Sequence, residues 1–429
     1  MQNNKFVDMP LSKEYIITLL KTPKIGQVSA KAINSNLSFK ITSVNELYDL
    51  IVDTKQNNSK IPLPDLKDLM HANEQAQQLM EECERKNISI VSVNDPAYPI
   101  KLMRLSDNPI ITYTKGAVST LNAHLTAAVI GTREPSPFGL KAGRRVSGIL
   151  GRNGFTIISG LAIGCDTAGH QGALDVSAPT VAVLASGVNI IYPKENKYLA
   201  DQILDTGGAL FSEYEPNFTA QRSSFVERDR LQSGLSDGLI VVETDIKGGT
   251  MHTVGFAKKM NIPIGCISNH PESLRDFDKI RGNKMLINEG AYPIGNPEQI
   301  FTFIKRMNPN ATEFISDEKN KENSLKTESN PEALANQSPQ IPKLGSQEPL
   351  LIETPIKAKE ILDLAESGEK QTDQQSLLEE MGTLKNLVIK LLDQQQEMKI
   401  MMNNLLLQLQ TKEKPVKEKK AEKTQTKLL

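Results

Sequence analysis

The chain reads as an α/β protein: a parallel sheet with helices on both faces, preceded by a small helical region and followed by a polar linker and a coiled coil. Three observations predict this. Six short runs between residues 127 and 267 are continuously apolar rather than alternating, as expected of strands buried on both faces. Helical stretches separate the runs, as parallel strands require. Gly, Ser or Thr follows most of the runs, which places ligands beyond the carboxyl ends of the strands.

The elements follow in order. Residues 1–86 are predicted helical, a helix–hairpin–helix or SAM-like unit. Tyr15, Ile16, Leu19 and Leu20 fall at helical spacing before the turn Thr22-Pro23-Lys24-Ile25-Gly26, and a second helix begins near Val28. Such a turn either presents backbone N–H groups to a phosphate or simply packs two helices. A longer helix runs from about Leu66 to Lys86. Residues 87–307 form the α/β domain, with strands predicted at Ala127–Ile130, Thr156–Ile158, Thr180–Leu184, Ala209–Phe211, Leu239–Val242 and Ile262–Ile267. Residues 308–371 are polar and Pro-containing. They bury too little surface to offset chain entropy and are expected to be a disordered linker. Over residues 372–411, heptad a positions Met381, Val388, Gln395, Met402 and Leu409 alternate with d positions Leu377, Leu384, Leu391, Met398 and Leu405. Only Gln395 is polar, so a coiled coil joining chains through residues 377–409 is expected. Residues 412–429 are a Lys-rich tail.

Composition excludes several classes. Lys+Arg 50 against Asp+Glu 51 leaves a net charge of −1, so the chain is not a uniformly basic nucleic-acid binder, and any phosphate site must be local. Its 429 residues suggest about two to three folding units. Cys83, Cys165 and Cys266 lie far apart, which argues for a reducing cytosol and against disulfides or a zinc site. The first residues lack a secretory pattern, and no apolar stretch is long enough to span a membrane. A cytoplasmic protein with no membrane partner, metal or cofactor is expected.

The loops after the strands carry the candidate chemistry. Gly131-Thr132-Arg133 follows the first run, where glycine admits a phosphate and a guanidinium can clamp it. Ser159-Gly160 opens a run of small residues before a helix. Arg222, Phe225, Arg228 and Arg230 share one segment, and Gly248-Gly249-Thr250 follows the fifth run.

The ordered set resembles the DprA/Smf family of DNA-processing proteins. Ser159-Gly160-Leu161-Ala162-Ile163-Gly164-Cys165-Asp166, Tyr192-Pro193-Lys194-Glu195-Asn196, Ser212-Glu213-Tyr214 and Gly282-Asn283-Lys284-Met285-Leu286-Ile287 are similar to its motifs, in the same order over roughly half the chain. The resemblance implies a Rossmann-like fold and binding of single-stranded DNA. It also implies delivery of that DNA to a RecA-type recombinase during natural transformation, a homo-oligomer formed partly through the Rossmann-like domain, and no catalytic residues. It assigns DNA contact to Arg133 and, through Arg222 and Phe225, to backbone and base, and it matches Arg228 and Arg230 to the family's Arg-Asn-Arg. The chain departs from the family pattern at Asp229 for Asn, Val226 for Pro, Thr132 for Ser and Gly248-Gly249-Thr250-Met251 for Ser-Gly-Ser-Leu. A linker and coiled coil stand where many relatives carry a winged helix.

Structural readings stand beside these. Phe225 reads equally as core, Arg228 and Arg230 as partners of Glu227 or Glu243, Asp166 as a helix-start cap, and His170 and His252 as polar helix residues. Glu243 reads as a buried carboxylate accepting N–H bonds. The alternative function is a nucleotide-hydrolysing enzyme or nucleotide sensor, because Gly248-Gly249-Thr250 is similar to the loop of phosphoribohydrolases. The Glu that follows that loop is absent here, and His252 stands nearby.

Overall fold

The computed structural model describes residues 11–37 and 40–310. The expected coiled coil, the tail and all of the linker beyond residue 310 lie outside the described residues.

Four helices come first: α1 (Lys13–Lys21), α2 (Gln27–Ser35), α3 (Val44–Asn57) and α4 (Leu66–Arg85). Their starts are written in the sequence. Ser12 accepts from the Tyr15 backbone N–H, and Ser43 with Glu46 closes a reciprocal capping box. Along α4, Leu69, Ala72, Ala76, Leu79 and Cys83 are buried at three- and four-residue spacing. The predicted turn at 22–26 joins α1 to α2.

The remaining elements alternate: β1 (Ile88–Ser92), β2 (Ile111–Gly116), β3 (Thr126–Ile130), α5 (Pro137–Arg152), β4 (Thr156–Ser159), α6 (Cys165–Leu174), β5 (Thr180–Val183), α7 (Lys197–Asp205), β6 (Ala209–Ser212), α8 (Arg222–Gly234), β7 (Gly238–Val241), α9 (Thr250–Lys259), β8 (Ile264–Ile267), α10 (Arg281–Asn288), β9 (Tyr292–Ile294) and α11 (Pro297–Met307). They form one sheet of order β1-β2-β6-β5-β4-β3-β7-β8-β9. From β6 to β9 every pairing is parallel, whereas β1–β2 and β2–β6 are antiparallel.

Period-two geometry explains the continuous apolar runs. On β3, Ala127 and Val129 join a core with Val146, Ile149 and Leu150 of α5, while Ala128 and Ile130 share a second core with Leu231 of α8 and Leu235 just after it. Both faces are covered, so every position is apolar. The four N-terminal helices share a third buried cluster with Ile88, Ile111, Tyr113 and Leu210 of the sheet. The predicted parallel α/β architecture therefore holds, with an antiparallel edge added by β1 and β2.

The strand order reverses at β3. Strands β4, β5 and β6 run outward on one side of it, and β7 then returns to its other side. The loops leaving β3 and β7 diverge there, and that divergence opens a crevice at their carboxyl ends.

Candidate nucleic-acid interface

Three loops are stitched together at this switch point. The Thr132 N–H donates to the Glu243 carbonyl at 2.7 Å, and the Cys165 N–H donates to the Thr132 carbonyl at 3.1 Å. Gly131 is required at their junction. A Cβ there would lie 2.5 Å from Cys165 Sγ and 2.8 Å from the Glu243 carbonyl oxygen. Behind the loops, Asn283 of α10 holds the strand ends. Its amide donates to the carbonyls of Val241, Val242 and Ile267, and its Oδ1 accepts from the Thr244 N–H.

The crevice has a volume of about 480 Å³. Gly131, Thr132, Arg133, Phe225, Arg228, Gly249 and Thr250 all line it, so the structure brings together seven of the site residues read from the sequence. Gly160 lines a smaller hollow that shares Arg133, Phe225 and Arg228 with the crevice. Ser159 is buried behind, its hydroxyl donating to the Val129 carbonyl at 2.7 Å. Arg222 opens α8, is exposed, and lies outside the lining.

The mouth is built around Phe225, half-buried in the first turn of α8. The Arg133 guanidinium lies 5.2 Å from the centre of its ring, and Tyr192 packs at 5.5 Å with the two rings tilted by 57°. Phe225 is therefore neither free nor core. Arg133 is exposed and, among the described residues, is in no ion pair.

The floor is charged and dense. Arg228 is 5% exposed. Its Nη1 donates to the Val183 carbonyl at 3.1 Å, and its Nε lies 3.3 Å from Asp229 Oδ1. With its amide oriented to satisfy both partners, Gln232 accepts from Arg228 Nη1 and from the Gly160 N–H. Asp166 also accepts from the Gly160 N–H (3.2 Å) and from the Ala162 N–H (3.4 Å). It was expected as a helix cap. Gly164 instead occupies the cap position of α6, and the Asp166 carboxylate reaches back to close the preceding loop. Burial pushes the Asp166 carboxyl up, with Arg228 opposing, and pushes Asp229 up to about 6 against the same cation. Arg133, Arg228 and Lys279 line the crevice beside Glu134, Asp166, Asp229 and Asp245, and Lys279 is 3.5 Å from Glu134.

Arg230 does not join this set. It is 6% exposed and bonds Glu213 at 2.6 Å and Asp107 at 2.9 Å. Two residues on a helix are about 200° apart around its axis, so Arg228 and Arg230 cannot face one cleft. That period was available in the sequence. Arg230 has the predicted ion-pair role, with Glu213 and Asp107 as partners rather than Glu227 or Glu243. Glu243 is fully buried and accepts from the Ser136 hydroxyl and N–H. His170 is also buried, bonded to Thr180 Oγ1, and pushed down to about 3 by desolvation. His252 lines the crevice. Gln232, Lys279 and Tyr192 complete the site and were not singled out as binders. Gln232 was detectable as the residue four after Arg228 on the same helical face. Lys279 comes from a distant segment that leaves no local signal. Among the described residues, no group of three or more His, Cys, Asp or Glu side chains could hold a metal. No helix there is long and apolar enough to cross a membrane.

A parallel α/β sheet with a polar, glycine-lined crevice at its switch point defines a Rossmann-like protein, with the crevice where open sheets of this kind hold ligands. Residues 74–305 match the model of the family described as DNA recombination-mediator protein A, and the chain belongs to that family. Protein Smf of Synechocystis is 33% identical over 226 residues, which are 52% of this chain and 56% of that protein. DNA processing protein DprA of Bacillus subtilis is 32% identical over 229 residues, 53% of this chain and 75% of the relative. The crystal structure of DprA from Streptococcus pneumoniae superposes with a TM-score of 0.56 at 26% identity, covering 68% of this chain and 98% of that one.

Proposed function

We propose that this protein binds single-stranded DNA non-enzymatically at the switch-point crevice, shields it, and passes it to a RecA-type recombinase during recombination or DNA uptake. Family membership supports the DNA-processing role. The observation that carries the binding reading is the mouth: an exposed Arg133 guanidinium stacked on a half-buried aromatic ring, beside backbone held open by glycine. A guanidinium pairs with phosphate, and ring faces accept bases without regard to sequence. The heptad repeat of residues 377–409 and the sheet domain are proposed to join chains, so that several heads engage one strand with avidity. Sedimentation of the full chain and of a chain ending before residue 372 tests that part. An unchanged mass would overturn the role of the repeat.

A second reading, a nucleotide-hydrolysing enzyme or sensor, is favoured by the carboxylates Asp166 and Asp229 in the crevice. Titration with labelled oligo-dT, alongside an assay for free base released from nucleoside monophosphates, separates the two. Tight oligo-dT binding with no base released supports the first reading, and base release would replace it with the second.

A further inference from the structure

Beside the crevice, across the Arg133–Phe225 pair, lies a second hollow of about 70 Å³. Ile163, Tyr192 and Pro193 form its far side. Two of these are large apolar groups left in solvent, Tyr192 at 50% and Ile163 at 46% exposure. Among the described residues the Tyr192 hydroxyl makes no hydrogen bond, so the ring is not held there by its polar end. Its neighbour is Phe225, 5.5 Å away.

The two hollows differ in charge. Four carboxylates line the crevice, whereas the lining of the second hollow includes Arg133 and Arg228 and no acid. A phosphate approaching from the second hollow therefore meets the exposed Arg133 guanidinium, with Arg228 and its acidic partners buried behind. Exposed aromatic and aliphatic surface next to an exposed guanidinium suits a nucleotide, because the base takes the apolar surface and the phosphate takes the cation.

We propose that Ile163, Tyr192, Pro193 and Phe225 form a second nucleobase subsite, so that the protein holds two consecutive nucleotides with the Arg133 guanidinium at the phosphate between them. This rests on the single-stranded DNA reading of the crevice and extends it. One base enters the crevice, and its neighbour lies against Tyr192. Phe225 is the shared wall, with Arg133 on its face.

The full-length protein is titrated with the 5′-phosphorylated dithymidine dinucleotide and with the same dinucleotide lacking either base, each in competition with labelled oligo-dT. Wild type binds the complete dinucleotide about 5- to 150-fold more tightly than the single-base versions, the loss expected for one removed stacking contact. Tyr192→Ala lowers affinity for the complete dinucleotide by a similar factor and binds it no better than one of the single-base versions. Tyr192→Phe restores the affinity, because the ring and not the hydroxyl makes the contact. The chain has no Trp and eight Tyr, so its intrinsic emission is tyrosine emission. Stacking quenches part of it, and Tyr192→Phe removes that quench. Equal melting of wild type and Tyr192→Ala rules out unfolding as the cause. If Tyr192→Ala keeps wild-type affinity while Arg133→Ala loses it, the second subsite falls and the crevice reading stands. If wild type binds neither oligo-dT nor the dinucleotide, both fall.

Discussion

At the mouth of the crevice, Arg133 stands in solvent over a ring; on its floor, Arg228 is almost fully buried, with Asp229, Asp166, Gln232 and the Val183 carbonyl around it. The residue type is the same and the energetics are not. A surface cation can be removed at little cost to folding, because water had already solvated it. A buried cation between two carboxylates holds their charges in place, and removing it leaves them uncompensated. The mouth is thus free to serve a ligand, while the floor first serves the fold. Substitutions should divide along this line.

The largest effect is expected on the floor. Arg228→Met should cost about 3–5 kcal/mol of stability, since Asp166 and Asp229 lose their shared cation. Urea unfolding of the two proteins measures it. Wild-type stability in the variant would erase the distinction between floor and mouth.

Next comes the mouth. Arg133→Ala should weaken binding to oligo-dT by about 1.5–3 kcal/mol, the worth of a charge-assisted contact. The slope of log affinity against log salt should fall by about 0.7. Unfolding should stay within about 0.5 kcal/mol of wild type. A stability loss without a binding loss would move Arg133 from ligand to scaffold.

The same contrast explains what the sequence made legible. The central strands β3 to β8 were readable because burial on both faces forces every position to be apolar. Strands β1, β2 and β9 were not. β2 carries Thr112, Thr114 and Lys115, and β9 has Pro293, which only an edge strand tolerates. The loops around Gly131, Arg133, Gly160 and Gly249 were legible because each follows a readable strand. The fates of Arg222, Arg228 and Arg230 were not, because one segment supplies all three and only tertiary packing decides which meets solvent, crevice or Glu213. Tyr192 sits in a recognised motif, yet its exposure is a property of the fold and not of the motif.

Acidity offers a smaller, sharper test. Burial lifts Asp229 from 3.8 to about 6, so the folded chain takes up a proton more readily than the unfolded one. The stability this contributes is complete below pH 3.8 and is lost as pH rises through about 6. Protonation also removes a negative charge from the crevice. Lowering pH from neutrality through that range should therefore tighten oligo-dT binding, by about 1 kcal/mol for one charge at partly solvated distance. His252 also lines the crevice, so Asp229→Asn is compared with His252→Gln. Asp229→Asn should bind more tightly at neutral pH and respond less to acid. An unchanged pH profile in Asp229→Asn would take the response away from Asp229.

The smallest effect is expected at Arg222, and it tests how far the mouth extends. Arg222 is exposed in the first turn of α8, outside the crevice lining and, among the described residues, in no ion pair. Nothing in the fold needs its charge, and a cation at a helix N-terminus is opposed by the helix dipole there. Arg222→Ala should thus leave stability unchanged or raise it by about 0.3–1 kcal/mol. Its proposed role is a phosphate contact by a strand that has already left the crevice. A dinucleotide held by the crevice and the adjoining hollow should not sense the change. A longer oligo-dT should lose affinity modestly, with the salt slope again falling by about 0.7. Equal losses for the short and long ligands would bring Arg222 into the crevice, and no loss for either would end the strand's path at Phe225.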